Sequence, residues 1–343
     1  MVGLSRILDR VFPKQGVLST NAGRRVALGV GALILGAFFV AAVIVGTLVR
    51  LTESAGSLPS GSFGHIMLGL AGGLVAVLLA FLLLPVIGRF SGIASDYRLL
   101  ELSNPGSPLL RDLMAQAPGT YSHSVMAGSL AEHAAAEIGA NPLLARVGAY
   151  YHDIGKMVRP GFFVENQAGL TNPHDIASPT QSAFVITAHV REGVELACGS
   201  RLPDPVVDII RQHHGTSLVT CFYEKARQGD APVLEADFRY DGERPTSQEA
   251  ALVMLADVSE AAARAVTGPS EERLRSTVRR VVEAKVADGQ LRDSHMTPTD
   301  LDRTIDVYAT MLMSVYHTRV EYPEDVEARR SDHGGARDER PGS

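Results

Sequence analysis

Tryptophan is absent from these 343 residues, and cysteine occurs only as Cys198 and Cys221. Two cysteines make neither a disulfide framework nor a thiolate zinc cluster of paired CxxC motifs, which places the soluble part in a reducing compartment. An excess of positive charge is also missing: 32 basic residues stand against 38 acidic ones, for a net charge of −6. That balance provides no broad footprint for long DNA or RNA and leaves a small anionic ligand, held through metal, as the open case. No internal repeat is present. Apolar residues make up 45% and charged residues 20%, a globular mix that excludes disorder throughout.

Mean hydropathy is nevertheless positive, at +0.08, so apolar residues are concentrated somewhere. Val26 to Val49 is a run of 24 uncharged residues and Ile66 to Gly88 one of 23, each longer than the ~20 residues an α-helix needs to cross a bilayer. A cleavable signal peptide has a shorter apolar region and is not followed by a second span. Arg6, Arg10, Lys14, Arg24 and Arg25 precede the first run, Arg50 and Glu53 lie between the two, and Arg89 and Arg98 follow the second. The positive-inside rule then places both ends in the cytoplasm. The expectation is a basic N-terminus at 1–25, a two-helix transmembrane hairpin at 26–88 and a linker at 89–104, a multi-pass arrangement in the inner (cytoplasmic) membrane. The hairpin reads as an anchor; Gly69, Gly72 and Gly73 are points where two copies could pack as a homodimer.

Beyond Arg89 the apolar spacing is helical over Val125–Ile138, Pro142–Tyr151, Ser178–Ala197, Pro205–His213, Ser247–Ala265 and Glu271–Ala287. Asn141-Pro142, Leu202-Pro203 and Asp204-Pro205 read as starts, and Gly139, Gly199 and Gly268 as stops. Val233–Tyr240 is a weak strand candidate inside 228–246, which reads as a surface loop. The result is one all-α domain at 105–320, followed by a disordered, acidic tail at 321–343.

The chemistry gathers in a series of histidines and aspartates: His123, His152-Asp153, His189, His213-His214 and Asp257. Imidazole nitrogen and carboxylate oxygen suit first-row metals such as iron or manganese, and seven ligands exceed what one ion uses. Two divalent ions are implied. Asp153, in the middle of the series, is the natural bridge, because the two oxygens of a carboxylate can bind separate ions. A pair of ions ~3.5–4 Å apart can activate water and clamp the attacking and leaving oxygens of a phosphoryl displacement.

Each element has a plainer reading. His123 or His189 alone could be a satisfied polar residue on a helix. The adjacent His213 and His214, ~100° apart on a helix, can straddle one cavity. Asp257 is the only charge within Ala250–Val258, and an unpaired buried carboxylate would cost several kcal/mol or take up a proton. Gly155 reads as the stop of the helix that carries His152, and Lys156 as either a phosphate contact or a cation at that helix end. His174-Asp175 repeats the HD dipeptide but lies in a loop between prolines.

Taken together, the ordered series H, HD, H, HH, D resembles the HD-domain metal-dependent phosphohydrolases. The flanking text Glu101-Leu-Ser-Asn-Pro-Gly, Ala117-Pro-Gly-Thr-Tyr-Ser-His123, Gly148-Ala-Tyr-Tyr-His-Asp-Ile-Gly-Lys156, Glu165-Asn-Gln167, Asn172-Pro-His-Asp175 and Arg211-Gln-His-His-Gly215 is similar to that of the bacterial seven-transmembrane HD phosphodiesterases, the PgpH-like family. The resemblance covers roughly residues 95–320. It implies an HD helical bundle that hydrolyses a cyclic dinucleotide, cyclic di-AMP, to linear pApA through a dinuclear centre and a bridging hydroxide. By the same resemblance His123, His152, Asp153 and Asp257 hold one ion, and Asp153, His189, His213 and His214 the other. Asp153 and Lys156 are the catalytic candidates. The two expected spans depart from the family's seven. His213-His214-Gly215 runs into Thr216-Ser-Leu-Val-Thr220 instead of the GYP-type text of enzymes acting on cyclic di-GMP. Another phosphoester, or nucleotide sensing without turnover, stays open. For base selection Tyr121, Tyr150, Tyr151, Phe162 and Phe163 are stacking candidates, with core packing as the alternative.

Overall fold

The computed structural model describes residues 94–316, apart from 168, 170, 230 and 231, together with 46, 71–75 and 77–79. The expected hairpin at 26–88 falls outside the described residues except for those few positions, and the tail at 321–343 lies outside them altogether. Among the described residues no helix is long and apolar enough to cross a membrane.

The described part is helical: α1 Asp96–Leu102, α2 Pro108–Gln116, α3 Pro118–Ile138, α4 Pro142–Tyr151, α5 Pro179–Gly199, α6 Asp204–Gln212, α7 Thr220–Arg227, α8 Gln248–Arg264, α9 Glu271–Ala287 and α10 Pro298–Tyr316. Short 3-10 turns fill the connection between α4 and α5. The boundaries follow from local chemistry. Gly139 closes α3 in the left-handed region at φ 81°, where a Cβ would be strained. Two residues later the Asn141 side chain accepts the Leu144 N–H at 3.0 Å and starts α4, with Pro142 in its first turn. Ser178 and Gln181 cap α5 reciprocally.

Two apolar clusters hold the bundle. In the first, Ala127, Ala131, Ala134 and Ala135 of α3 meet the buried run Ala250–Ala256 of α8, which also packs on α9 and α10. Small side chains on both helices allow a close approach. α9 contributes Leu274, Val278 and Val282 at four-residue spacing, each worth about 1.5–3 kcal/mol when fully buried. The Tyr308 hydroxyl of α10 donates to the Leu252 carbonyl at 2.8 Å. In the second cluster Leu99, Leu102, Leu110 and Leu113 of α1 and α2 pack with Val147, Tyr151, Val206 and Ile210. α4 lies between the clusters, with Ala145 and Ala149 in one and Val147 and Tyr151 in the other.

Several expectations change. Residues 96–102, read as linker, form α1 because Leu99 and Leu102 are buried. α3 starts at Pro118, seven residues before the periodic run, so it includes His123. The strand candidate at 233–240 is a 3-10 turn, Glu235–Phe238, with one isolated bridge between Leu218 and Arg239. That loop is not wholly on the surface, since Phe238 is buried.

Candidate metal centre

Asp153 stands where α4 ends. Its backbone, at φ −107° and ψ 14°, leaves the helix in the sparsely populated bridge region common at active sites. From there its two carboxylate oxygens face different partners. Oδ2 lies 3.1 Å from His152 Nε2, 2.7 Å from Lys156 Nζ and 3.8 Å from His123 Nε2. Oδ1 lies 3.3 Å from His189 Nε2 and 3.6 Å from His213 Nε2. The donor atoms form two groups, His123, His152 and Asp153 in one, Asp153, His189, His213 and His214 in the other, with Asp153 shared. Asp257 joins neither group directly. Its Oδ1 is 3.1 Å from His123 Nε2 and its Oδ2 3.7 Å from His214 Nδ1, so it spans from one set to the other.

Three imidazoles are oriented by their own backbone. The Nδ1–H of His152 donates to Ala149 O at 2.7 Å, that of His189 to Ile186 O at 2.5 Å and that of His213 to Ile210 O at 2.7 Å. Each bond assigns the proton to Nδ1 and leaves Nε2 as the donor atom that faces Asp153. His213 and His214 lie just past α6 and not on it, since the helix ends at Gln212, and their rings are 4.2 Å apart. Gly155 is not a helix stop either: α4 ends three residues before its 3-10 segment. It is glycine because any Cβ there would overlap the His189 carbonyl of α5, so a bare backbone lets the HD segment press against the helix that carries His189.

The residues fit a divalent metal pair by their chemistry. Both Asp153 oxygens and His152 Nε2 are buried without a well-formed hydrogen bond; the Lys156 ammonium is at ion-pair distance but off the hydrogen-bonding direction. Such orphaned groups cost free energy unless something coordinates them. Burial disfavours the charge on Asp153, yet His152 and Lys156 hold its carboxyl well below the usual carboxylate range. Asp257 is likewise held low against burial by its hydrogen bond to His123. Burial pushes His213 down to about 4 and His214 down as well, keeping both imidazoles neutral and available as ligands. His123 is the exception. Burial works against its charge, but hydrogen bonds to Asp257 and Glu260 raise it to about 10.

Some participants carry no recognisable mark in the sequence. Glu260 accepts from His123 Nδ1 at 2.6 Å. Glu165, part of the motif text but with no role assigned, pairs with Lys156 Nζ at 2.9 Å. Tyr240, inside the segment read as a loop, stacks on His214 at 4.2 Å. Among the expected stacking residues, Phe163 meets His189 edge-on. Tyr151 instead bonds Ser107 and the Leu102 carbonyl in the core, and Tyr150 packs over Gly128. His174 stands apart from the cluster, between Phe162 and Phe222, with Nε2 on the Phe162 carbonyl at 2.9 Å.

Comparison with known proteins decides the family. Residues 120–262 match the model of the HD domain, and the solved HD domain of the Listeria monocytogenes phosphodiesterase PgpH, in complex with cyclic-di-AMP, aligns at 41% identity with a TM-score of 0.60, covering 62% of this chain and 100% of that one. The chain belongs to the HD-domain family. The cyclic-di-AMP phosphodiesterase PgpH of Bacillus subtilis is 42% identical over 287 residues, 83% of this chain, and that of L. monocytogenes 40% identical over 256 residues, 75% of this chain. The chain spans only 40% and 36% of the length of these curated relatives. The helical architecture and the His/Asp cluster found here fit that family, and the cluster fits the binding of divalent metal.

Proposed function

We propose that this chain is a membrane-anchored phosphodiesterase that hydrolyses cyclic di-AMP to linear pApA at a dinuclear metal centre in the cytoplasm. The observation that carries the reading is the division of Asp153 between two histidine sets, one per carboxylate oxygen. His123 and His152, with Asp257, complete one set, and His189, His213 and His214 the other. Two divalent ions, iron or manganese, supply activation of water and charge stabilisation for the phosphoryl oxygens when bound.

The chain's own groups do the rest. The ionised carboxylates of Asp153 and Asp257 and the neutral imidazoles of His213 and His214 keep those donors ready at neutral pH, and His123 gives up its proton when metal binds. Lys156, fixed between Asp153 and Glu165, presents a positive charge to a phosphate oxygen. In-line attack of water on phosphorus breaks its bond to a ribose 3′ oxygen and leaves a 5′-phosphate end, which is the linear dinucleotide. The substrate assignment is supported by the names of the two relatives and by the ligand in the solved HD domain. The anchor is supported by the two uncharged runs and the arginines flanking them.

The test is turnover of cyclic di-AMP and cyclic di-GMP side by side by the full chain, loaded anaerobically with iron or manganese, with Asp153→Ala as control. Selective formation of pApA, lost in the control, is the expected result. Tight binding without turnover would identify a nucleotide sensor instead.

A further inference from the structure

The four imidazoles nearest Asp153 are not held alike. His152, His189 and His213 each bond a carbonyl three residues back in their own helical turn. His123 has no such bond and depends on α8, contributed from more than a hundred residues away. Asp257 meets its Nε2 at 3.1 Å and Glu260, one turn further along α8, meets its Nδ1 at 2.6 Å. Glu260 is buried and does not belong to either donor group. It is itself gripped from both sides: Arg264 donates to Oε2 at 2.5 Å, and the Tyr316 hydroxyl of α10 donates to Oε1 at 2.9 Å.

We infer that Glu260 is a positioning residue of the centre: it assigns the His123 proton to Nδ1 and aims Nε2 at the metal, so that the His123 set depends on it and the His189 set does not. This rests on the two-ion reading above. A carboxylate behind a ligand imidazole fixes ring and tautomer, and losing such a partner lowers metal affinity by about 10- to 100-fold. His152, His189 and His213 draw the same service from carbonyls that no side-chain substitution removes. A substitution at Glu260 therefore acts on one half of the centre.

The experiment is a Mn2+ titration of the full chain after chelator treatment, counting bound ions and the affinity of each, with thermal unfolding in chelator as a check on the fold. Two substitutions separate position from charge. Glu260→Gln keeps the length and an acceptor oxygen for His123 and Arg264, and the Tyr316 hydroxyl can turn to accept; it should hold both ions within about threefold of wild type. Glu260→Asp keeps the charge but withdraws the oxygen by one methylene; it should weaken one ion about 10- to 100-fold and leave the other unchanged. Tyr316→Phe, which loosens the carboxylate from outside the centre, should weaken the same ion to a smaller extent. Two ions of unchanged affinity in Glu260→Asp, or equal loss of both ions, would overturn the inference while leaving the dinuclear reading intact. A wild-type count of one or none would overturn the dinuclear reading first, and this inference with it.

Discussion

Nζ of Lys156 lies 2.7 Å from Oδ2 of Asp153, the shortest of that oxygen's polar approaches, with the carboxylate buried and the lysine half-buried. The ammonium serves as counter-charge to a carboxylate that burial alone would neutralise, and Asp153 and Glu165 in turn hold the lysine pKa above its usual value against burial. Removing one partner of a buried pair costs about 3–5 kcal/mol, because the other charge is left uncompensated. Lys156→Met should lower stability by an amount of that order in chelator, and by clearly less with Mn2+ present, since the ion takes over the neutralisation of Asp153. Chemical unfolding with and without the metal measures both; equal losses would sink the idea.

Asp153 is the one residue common to both donor sets. On the proposed two-ion reading, Asp153→Ala should lower the metal count from two toward zero and abolish turnover of cyclic di-AMP, whereas His189→Ala should remove chiefly one ion. Elemental analysis beside single-turnover kinetics separates these outcomes. A full complement of metal in Asp153→Ala would contradict the bridge.

Gly155 packs bare backbone against the His189 carbonyl. Gly155→Ala forces the HD segment and α5 apart, at a cost of about 1–3 kcal/mol typical of overpacking. Because the strain falls between Asp153 and His189, metal affinity should drop as well. A control such as Gly161→Ala, where a Cβ meets nothing nearby, should leave both properties unchanged.

The titration of His123 has a definite sign. Against burial, Asp257 and Glu260 raise its pKa from 6.5 to about 10; the stabilisation is complete below pH 6.5 and is lost as pH rises through 10. His213, pushed by burial down to about 4, acts in the opposite window, its contribution being lost as pH falls from 6.5 through 4. In chelator the melting temperature should peak near neutral pH and fall by roughly 5 °C toward pH 10. Metal binding strengthens over the same rise, because His123 must release its proton. The alkaline fall should vanish in His123→Gln; its persistence would assign it elsewhere.

How much of this was legible in the sequence depended on range. The ordered His/Asp series and the α4, α8 and α9 boundaries are local signals, carried by apolar spacing, caps and a motif. Glu260 was not legible: its partner His123 lies 137 residues away, and an acid in Asp257-Val-Ser-Glu260 reads as one more polar position. Tyr240 was hidden because Gly, Pro, Asp and Glu around it mark a loop, while only the packed chain shows that the loop folds back onto His214. α1 was missed for a related reason. Its seven residues are too few to display a period, and Leu99 and Leu102 gain their meaning from the helices they meet. Gly155 was assigned the role that glycine most often has beside a helix end, whereas its reason is a neighbour on α5.

Among the described residues, the helix that supplies Asp257 and Glu260 is also the most enclosed, with Ala250 to Ala256 buried without a break. Segments of that kind exchange their amide hydrogens only when a whole domain opens. The acidic side of the centre is thus built into a segment that should exchange slowly and does not fray at an edge. Failure on heating should be abrupt, with the ligand geometry persisting until the cooperative transition and vanishing within it.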